Sequence, residues 1–423
     1  MAIGIYVLFA GVGMVVGALE NFRGLLYQRN LLLLAVYSSL SIFAYAGFSN
    51  LLPALLTHLG VSREVIGPLF SLERLLVFML AILMLYLSLH IGGRVLYLMP
   101  FITVLYGILL QVFASSNSVI VISILTPLIT GLYLSLRPLN RSLINLLVDV
   151  KTLGLYVGLL SSISVLSSAM SSMLYGFLLQ RVGLQEATYV ILLFVAFMLI
   201  TQVMLIRSVI KAQQYPKHSI ESVKLSERIL PKGFVLRDFV LLVSALSQLV
   251  EAGIAVYISV ALWDILRDFS VIGFAISISY ISNVILSPFM GHLSDKISKP
   301  LYLMGISLCI LASSYHLLAL GYSIPWLAFI ALILSTTAST LFSPNIQIYV
   351  KKLSIMPQLY FSSLEFMGSL TGMLAPLLAS IIIANTNLQN YLTLMAISEL
   401  IFGITLITKA FLSRKGDERQ KFG

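Results

Sequence analysis

Long apolar runs alternate with short polar segments along nearly all of the 423 residues. Twelve runs after residue 30 are each long enough to cross about 30 Å of hydrocarbon as a helix. They lack the alternation of apolar and polar residues that marks barrel strands, so we predict helices. The predicted spans are 31–56, 65–89, 95–115, 118–137, 154–178, 186–207, 238–261, 271–290, 301–320, 324–344, 360–384 and 390–411.

The composition is also typical of a membrane protein. Hydrophobic residues make up 59% of the sequence and charged residues 10%, against roughly 45–50% and about 25% in an ordinary globular domain. We therefore predict an all-α integral membrane protein, with the lipid bilayer as its surrounding. The single cysteine, Cys309, cannot form an intrachain disulfide or a thiolate metal site.

The distribution of basic residues predicts an orientation. With an even number of spans, 22 of the 26 Lys and Arg residues fall on the side that holds residues 20–30 and the C-terminus. Arg63, Arg181 and Arg267 fall on the other side, and Arg74 lies within a span. Positive residues favour the cytoplasmic side. We predict a multi-pass protein of the cytoplasmic membrane with a cytoplasmic C-terminus, and no nucleic-acid partner despite the net charge of +10.

One long polar segment divides the chain, and the 18 apolar residues "AIGIYVLFAGVGMVVGAL" precede the first strong span. Those residues are either one extra membrane helix or an interfacial segment. We predict an N-terminal hydrophobic extension at 1–30, a six-helix half at 31–209, a cytoplasmic linker at 210–237, a second six-helix half at 238–412 and a cytoplasmic tail at 413–423.

The two halves repeat in sequence. "LYLM" occurs at 96–99 and again at 301–304, an offset of 205. Three further pairs share an offset of 206, namely Gly47 with Gly253, Gly67 with Gly273 and Pro138 with Pro344. Two six-helix halves in parallel repeat are a transporter architecture, with the substrate site near the membrane midplane between them.

The stretch "GHLSDKISK" interrupts two apolar runs between the second and third spans of the second half. It resembles the loop signature of the major facilitator superfamily, G-x-L-x-D-[RK]-x-G-[RK]-[RK]. The matching residues are Gly291, Leu293, Asp295, Lys296 and Lys299. Together with the repeat, the resemblance covers residues 31 to about 412 and implies a 12-helix 6+6 bundle.

The signature departs from the family pattern in two places. Ser298 and Pro300 replace its second glycine and its last basic residue. The first-half copy is degenerate, with His90 aligned to Asp295 and Arg94 to Lys299.

The resemblance also implies a conformational latch. The Asp295 carboxylate would lie near the N-terminus of the helix that starts near Tyr360, where unpaired N–H groups favour a negative charge. Contact there would hold the two halves in one conformation and release in the other. Spacing alone is equally compatible with a solvated turn whose lysines stay in the cytoplasm.

Charged residues inside membrane spans are costly and usually face the bundle interior. Glu251 lies about 20 Å from the cytoplasmic face by helical rise, and Arg74, beside Glu73, lies at comparable depth in the other half. We hypothesise that Glu251 and Arg74 meet across the cavity, or that Glu251 takes up a proton when they part. The alternative is a buried Glu251 bonded within its own half.

Other polar residues in the spans are weaker candidates. His316 and Glu399 have similar depths in neighbouring spans, and we expect a structural pair at the bundle periphery. The candidates for the cavity wall, each of which could instead cross-link helices, are Tyr45 (the repeat mate of Glu251), Asn50, Tyr133, Gln248 and Thr337.

These features predict a secondary active transporter that moves a small-molecule substrate by alternating access. Few ionised groups are expected in the cavity, so we favour proton-coupled export of a hydrophobic or amphipathic compound. A proton-coupled importer of a sugar or other small metabolite, and a transporter-like sensor without flux, remain alternatives.

An enzyme is not expected. The sequence has no HExxH motif, no Cys/His cluster and no P-loop. The outward acidic pair, Asp264 and Asp268, lies in a short loop. We therefore expect no metal and no cofactor. The family resemblance implies a protein that works as a monomer.

Overall fold

The computed structural model describes residues 29–91, 96–116, 118–147, 153–212, 239–296, 299–353 and 357–421. The predicted extension at 1–30 lies outside the described residues except for its last two. Twelve long helices make up the described part of the chain. They are α1 (Arg29–His58), α2 (Arg63–Ile91), α3 (Leu98–Ser115), α4 (Val119–Leu147), α5 (Leu153–Arg181), α6 (Leu184–Ala212), α7 (Phe239–Leu266), α8 (Phe269–Lys296), α9 (Pro300–Leu320), α10 (Leu327–Leu353), α11 (Pro357–Asn385) and α12 (Leu388–Lys421).

All twelve helices contain a segment long and apolar enough to cross a membrane. Many large apolar side chains on the outside are exposed, as lipid-facing residues are. The predicted fold class, an all-α membrane bundle, is confirmed. Several helices run past their predicted spans, and α12 continues to Lys421 well beyond residue 411. Charged residues end a membrane crossing without ending a helix, because water and headgroups solvate them.

The helices pack as two halves, α1–α6 and α7–α12. Inside the first half α1 packs on α5 and α6, and inside the second α9 packs on α10 and α12. The largest contacts between the halves join α5 with α8, α2 with α11, and α1 with α7. Under the sequence repeat α2 corresponds to α8 and α5 to α11, so the first two crossings are equivalent interfaces.

Glycines from the repeat lie at these two equivalent interfaces. A Cβ atom added to Gly67 on α2 would collide with the Pro376 carbonyl oxygen on α11. A Cβ atom added to Gly273 on α8 would collide with the Ser172 carbonyl oxygen on α5. In both cases the absence of a side chain lets two backbones meet, which is how small residues bring membrane helices together.

The other repeated glycine pair also has equivalent neighbours. Gly47 on α1 packs against Ser171 on α5, and Gly253 on α7 packs beside the Ala375 carbonyl oxygen on α11. These two contacts lie inside the two halves rather than between them. The sequence repeat therefore marks equivalent close contacts in three dimensions.

The two ends of the bundle carry different connections. The basic face is the end of the bundle where the chain leaves α2, α4, α6, α8 and α10. The opposite face is the other end, where the connections are residues 59–62, 182–183, 267–268, 321–326 and 386–387.

Candidate functional site

A cavity of about 230 Å³ lies within the second half, between α7, α9 and α10. Its wall is about 10–20 Å from the basic-face ends of these helices by helical rise. The wall contains both polar and apolar side chains. The lining residues are Ser247, Gln248, Glu251, Ser307, Leu308, Leu311, Ala338, Ser339, Phe342, Ser343 and Ile346.

Glu251 supplies the carboxyl group of this cavity. It sits near the middle of α7, and its side chain is exposed to the cavity while surrounded by the bundle. The Ser339 hydroxyl of α10 donates a long hydrogen bond of 3.4 Å to Glu251 Oε1. None of the ion pairs among the described residues includes Glu251. The carboxyl group is thus weakly held and open to a ligand or a proton.

Gln248 adds a second hydrogen-bond acceptor, about one helical turn before Glu251 on α7. Its Oε1 atom is buried and has no hydrogen-bond partner among the described residues. It lies 3.5 Å from the position that a Cβ atom of Gly368 on α11 would occupy. An unsatisfied buried acceptor is costly, so a donor supplied by a ligand or water would stabilise this arrangement.

Glu399 on α12 is fully buried and lies behind Ser247. The Ser247 hydroxyl of α7 is 2.9 Å from both Glu399 carboxyl oxygens. The expected pairing of Glu399 with His316 is wrong, because Glu399 turns toward α7 while His316 is exposed on α9. The prediction matched depth and helix neighbours but could not give the direction in which each side chain points.

Arg74 pairs locally in this conformation. Its Nε atom is 3.8 Å from Glu73 Oε1, and its side chain is 49% exposed while that of Glu73 is buried. The aliphatic part of Arg74 runs beside Gly372 on α11. The hypothesised ion pair with Glu251 is therefore not formed in the described conformation, because Glu73 is the nearer carboxylate.

The predicted cavity-wall residues of the first half are engaged in helix packing. The rings of Tyr45 and Tyr133 stack with centroids 3.9 Å apart and an angle of 6° between their planes. The Tyr133 hydroxyl donates to the Ser41 carbonyl oxygen at 2.9 Å. These contacts give the first half an aromatic, hydrogen-bonded interior.

Asn50 and Thr337 also take part in packing contacts. Asn50 Nδ2 donates to the hydroxyls of Ser172 at 2.9 Å and Tyr280 at 3.1 Å, and the latter bond crosses between the halves. Thr337 donates to the Ile333 carbonyl within α10 at 2.8 Å.

An ion pair joins the halves at the opposite face. Arg63 at the start of α2 donates to Asp264 near the end of α7 at 2.8 Å, and Asp264 is only 4% exposed. The Tyr322 hydroxyl donates to the other Asp264 oxygen at 3.1 Å, and Tyr257 donates to the Arg63 carbonyl at 2.9 Å. Burial and the Asp264 charge raise the pKa of Tyr322 well above its ordinary value, so it remains a donor.

Aromatic rings close the same face. The Trp263 and Phe269 rings stack with centroids 4.5 Å apart, and the His58 ring meets Trp263 edge-on at 4.8 Å. The hydrogen bonds from Arg63 to Asp264, from Tyr257 to Arg63 and from Phe269 to Gln180 join the halves at this face, whereas the cavity lies on its basic-face side. Sequence reasoning noticed Asp264 but had no signal for its partner, because Arg63 is about two hundred residues away.

The family signature is less turn-like than expected. Gly291 to Lys296 form the last turns of α8 rather than a loop, since the chain meets no helix-ending residue before Pro300. The Ser294 hydroxyl within the stretch is buried and accepts a hydrogen bond of 2.8 Å from Asn345 Nδ2 on α10. Leu293 and Lys299 are exposed.

The other side chains of the predicted latch lie outside the described part. These are Asp295, Lys296, His90, Arg94 and Tyr360. The latch therefore stays a prediction.

Comparisons with known proteins follow the same division into halves. The sequence model of the Major Facilitator Superfamily matches residues 240–422. A comparison with curated protein sequences finds no match. The predicted resemblance is confirmed by sequence over residues 240–422. Over nearly the whole chain the similarity to the solved structures below is one of fold alone.

Solved structures with this fold are transporters of different kinds. The nucleoside transporter NupG is 14% identical with a TM-score of 0.68, covering 91% of this chain and 99% of its own. A bacterial homologue of the human lysosomal transporter Spinster, in an inward-facing and occupied conformation, is 14% identical with a TM-score of 0.65, covering 91% and 96%. A bacterial homologue of the iron transporter ferroportin, in an inward-facing state, is 15% identical with a TM-score of 0.64, covering 90% and 98%.

Proposed function

We propose that this chain, whose described helices share the fold of solved transporters and whose residues 240–422 match the Major Facilitator Superfamily model, is a secondary transporter. It works by alternating access and exports a hydrophobic or amphipathic compound in exchange for protons. The observation that carries the proposal is Glu251, a carboxyl group without an ion-pair partner among the described residues, open to a cavity inside the membrane bundle.

The described conformation fits loading from the basic face. The opposite face is closed by the Arg63–Asp264 ion pair and the Trp263–Phe269 stack. The cavity lies on the other side of that closure. With the positive residues placed in the cytoplasm, the cavity would take its substrate from the cytoplasm. The inward-facing state of two solved relatives is compatible with this assignment.

The cavity wall supports a substrate with a polar donor and an apolar body. Glu251 and the unpartnered Gln248 Oε1 are both acceptors, so they favour N–H donors or a positive charge. The apolar part of the wall is formed by Leu308, Leu311, Phe342 and Ile346. An amphipathic amine could donate hydrogen bonds to the two acceptors and pack its apolar body against the apolar residues.

Competition at Glu251 couples substrate to protons. A carboxylate in water-filled space can hold a cation, whereas the same group in a closed, dry site favours the protonated form. Substrate binding from one face and proton binding from the other therefore exclude each other. Exchange of one for the other is the result expected of an antiporter.

Arg74 and Glu73 remain part of this proposal. Gly372 and Gly368 lie one turn apart on α11, with Arg74 beside the first and Gln248 beside the second. These two polar residues thus approach the same stretch of α11 from different halves. We propose that Arg74 leaves Glu73 and approaches Glu251 when α2 and α11 rearrange, which would help Glu251 release its proton.

The experiment is uptake of a fluorescent lipophilic cation into inverted membrane vesicles with an inside-acid pH gradient. Wild type is compared with Glu251→Gln, and Glu186→Gln, an exposed carboxyl in the first turn of α6, is the matched control. We expect gradient-dependent uptake in wild type and the control, and none in Glu251→Gln.

Two results would contradict the proposal in different ways. Equal uptake in all three proteins would remove Glu251 from coupling. No uptake of the cation, together with gradient-driven movement of a sugar or other metabolite in the inward direction, would replace export with the importer alternative.

A further inference from the structure

We propose that Glu399 is a second proton-binding site of this protein, connected to the Glu251 cavity through the Ser247 hydroxyl. The family signature does not include Glu399, and Glu399 lies on α12, the last described helix. Neither fact predicts this role. The proposal extends the transport function proposed above. Only the use of the stored proton rests on that function, and the protonation of Glu399 does not.

The surroundings of Glu399 favour a neutral carboxylic acid. Its side chain is 0% exposed, and the ion pairs among the described residues do not include it. A buried carboxylate without a cation is very costly in the membrane interior. Ser247, with its oxygen 2.9 Å from both carboxyl oxygens, is the polar partner that the structure gives it.

The titratable groups around Glu399 add no positive charge. Glu251 on α7 and Tyr315 on α9 are close enough to interact with it electrostatically. Both would carry negative charge if ionised, so they disfavour a second carboxylate. Cys309 on α9 packs against Gly403 further along α12, and His316 is exposed.

Ser247 links this acid to the cavity. It belongs to the cavity wall together with Glu251, and the two residues are one helical turn apart on α7. A proton moves from Glu399 to the Ser247 oxygen as Ser247 gives its own hydroxyl proton to water or to Glu251 in the cavity. Glu399 then becomes the carboxylate and Glu251 the acid, so the pair keeps one negative charge.

This arrangement gives Glu399 the function of a proton store. When a cation binds Glu251 and keeps it ionised, the proton remains on Glu399 inside the protein. When the cation leaves, the proton can pass from Glu399 through Ser247 to Glu251. The two carboxyl groups would then titrate as a coupled pair.

Infrared spectroscopy of the purified full-length protein in lipid tests this without a substrate. The carbonyl-stretch band of protonated carboxyl groups is recorded from acid to alkaline pH. In a Glu251→Gln background, where residue 251 cannot hold the proton, we expect a band at neutral pH that disappears when Glu399→Gln is added and persists when the control Glu186→Gln is added. In Ser247→Ala the same band should move to higher wavenumber, because the carboxyl loses its hydrogen-bond partner.

Two outcomes would overturn the inference. One is a neutral-pH band in the Glu251→Gln background that is unchanged by Glu399→Gln, and the other is the absence of any such band in that background. If Glu399→Gln does not fold, Ser247→Ala decides, since an unshifted band there would remove the link to Ser247.

The vesicle experiment separates this inference from the transport proposal. Absence of gradient-driven transport with the expected bands would refute coupling and leave the protonated Glu399 in place. Coupled transport without the bands would refute the second proton site alone.

Discussion

The interiors of the two halves share a framework but differ in chemistry. In the first half Tyr45 stacks on Tyr133, and Tyr133 is bonded to Ser41. At the repeat position of Tyr45 the second half has Glu251, which opens onto a cavity. The two halves therefore repeat the same fold without repeating the chemistry at this position. At this position the first half is filled by stacked tyrosine rings, and the second half places a carboxyl group beside a cavity.

The largest expected effect tests the part that the halves have in common. Gly67→Ala and Gly273→Ala place a Cβ atom against a carbonyl oxygen of the neighbouring helix. We expect each to lower the free energy of unfolding by about 3 kcal/mol, since backbones must move apart. Thermal unfolding in detergent measures this.

The matched control is Gly107→Ala, where the new atom would meet only side-chain carbons, the nearest at 3.4 Å. If one interface glycine tolerates alanine as well as Gly107 does, the two interfaces are not equivalent.

A smaller effect is expected at the ion pair between the halves. Asp264→Asn weakens the bonds to Arg63 and Tyr322 at the opposite face. We expect a loss of about 1.5–3 kcal/mol from the closed conformation, the range for hydrogen bonds to charged groups. Trp263, buried in the adjacent stack, reports opening through its fluorescence.

The protein has two tryptophans, and Trp326 is 60% exposed, so the measurement uses a Trp326→Phe background. Emission from Trp263 should shift to longer wavelength in Asp264→Asn. Arg181→Gln, at the same face but outside the ion pair, is the control and should leave the emission unchanged. An unshifted spectrum in Asp264→Asn would show that the ion pair does not hold the face closed.

The smallest effect is expected in the first half. Tyr133→Phe removes the hydroxyl bonded to Ser41 but keeps the ring that stacks on Tyr45. We expect a loss of about 1 kcal/mol in stability and no change in the dependence of transport on the pH gradient. Thermal unfolding and vesicle uptake measure the two quantities, with the exposed Tyr97→Phe as reference. Loss of gradient dependence would mean that the Tyr133 hydroxyl takes part in coupling.

The sequence predicted the features that follow from local pattern and repetition. Apolar runs gave the twelve helices, and the offset of 206 marked Gly67 and Gly273 before their interfaces were seen. Counting helical rise placed Glu251 deep in the bundle. These signals need only neighbouring residues or identical spacing.

What the sequence could not predict depends on side-chain direction and distant partners. Nothing local relates Arg63 to Asp264 or Ser247 to Glu399, and Glu399 was assigned the wrong partner. The stretch "GHLSDKISK" was expected to be a turn because it is polar, yet its first six residues are helical. Polarity shows where a helix leaves the membrane, and it does not show where the helix ends.

The central claim is that the carboxyl group that exchanges the proton lies in the second half and has no counterpart at its repeat position in the first. A side-by-side measurement of the two repeat mates tests it most directly. Glu251→Gln and Tyr45→Phe are reconstituted in liposomes, and substrate-driven proton movement is followed with a pH-sensitive dye, using the lipophilic cation as substrate. The account predicts no proton movement in Glu251→Gln and wild-type movement in Tyr45→Phe. Proton movement that survives in Glu251→Gln, or that is lost equally in both variants, would contradict it.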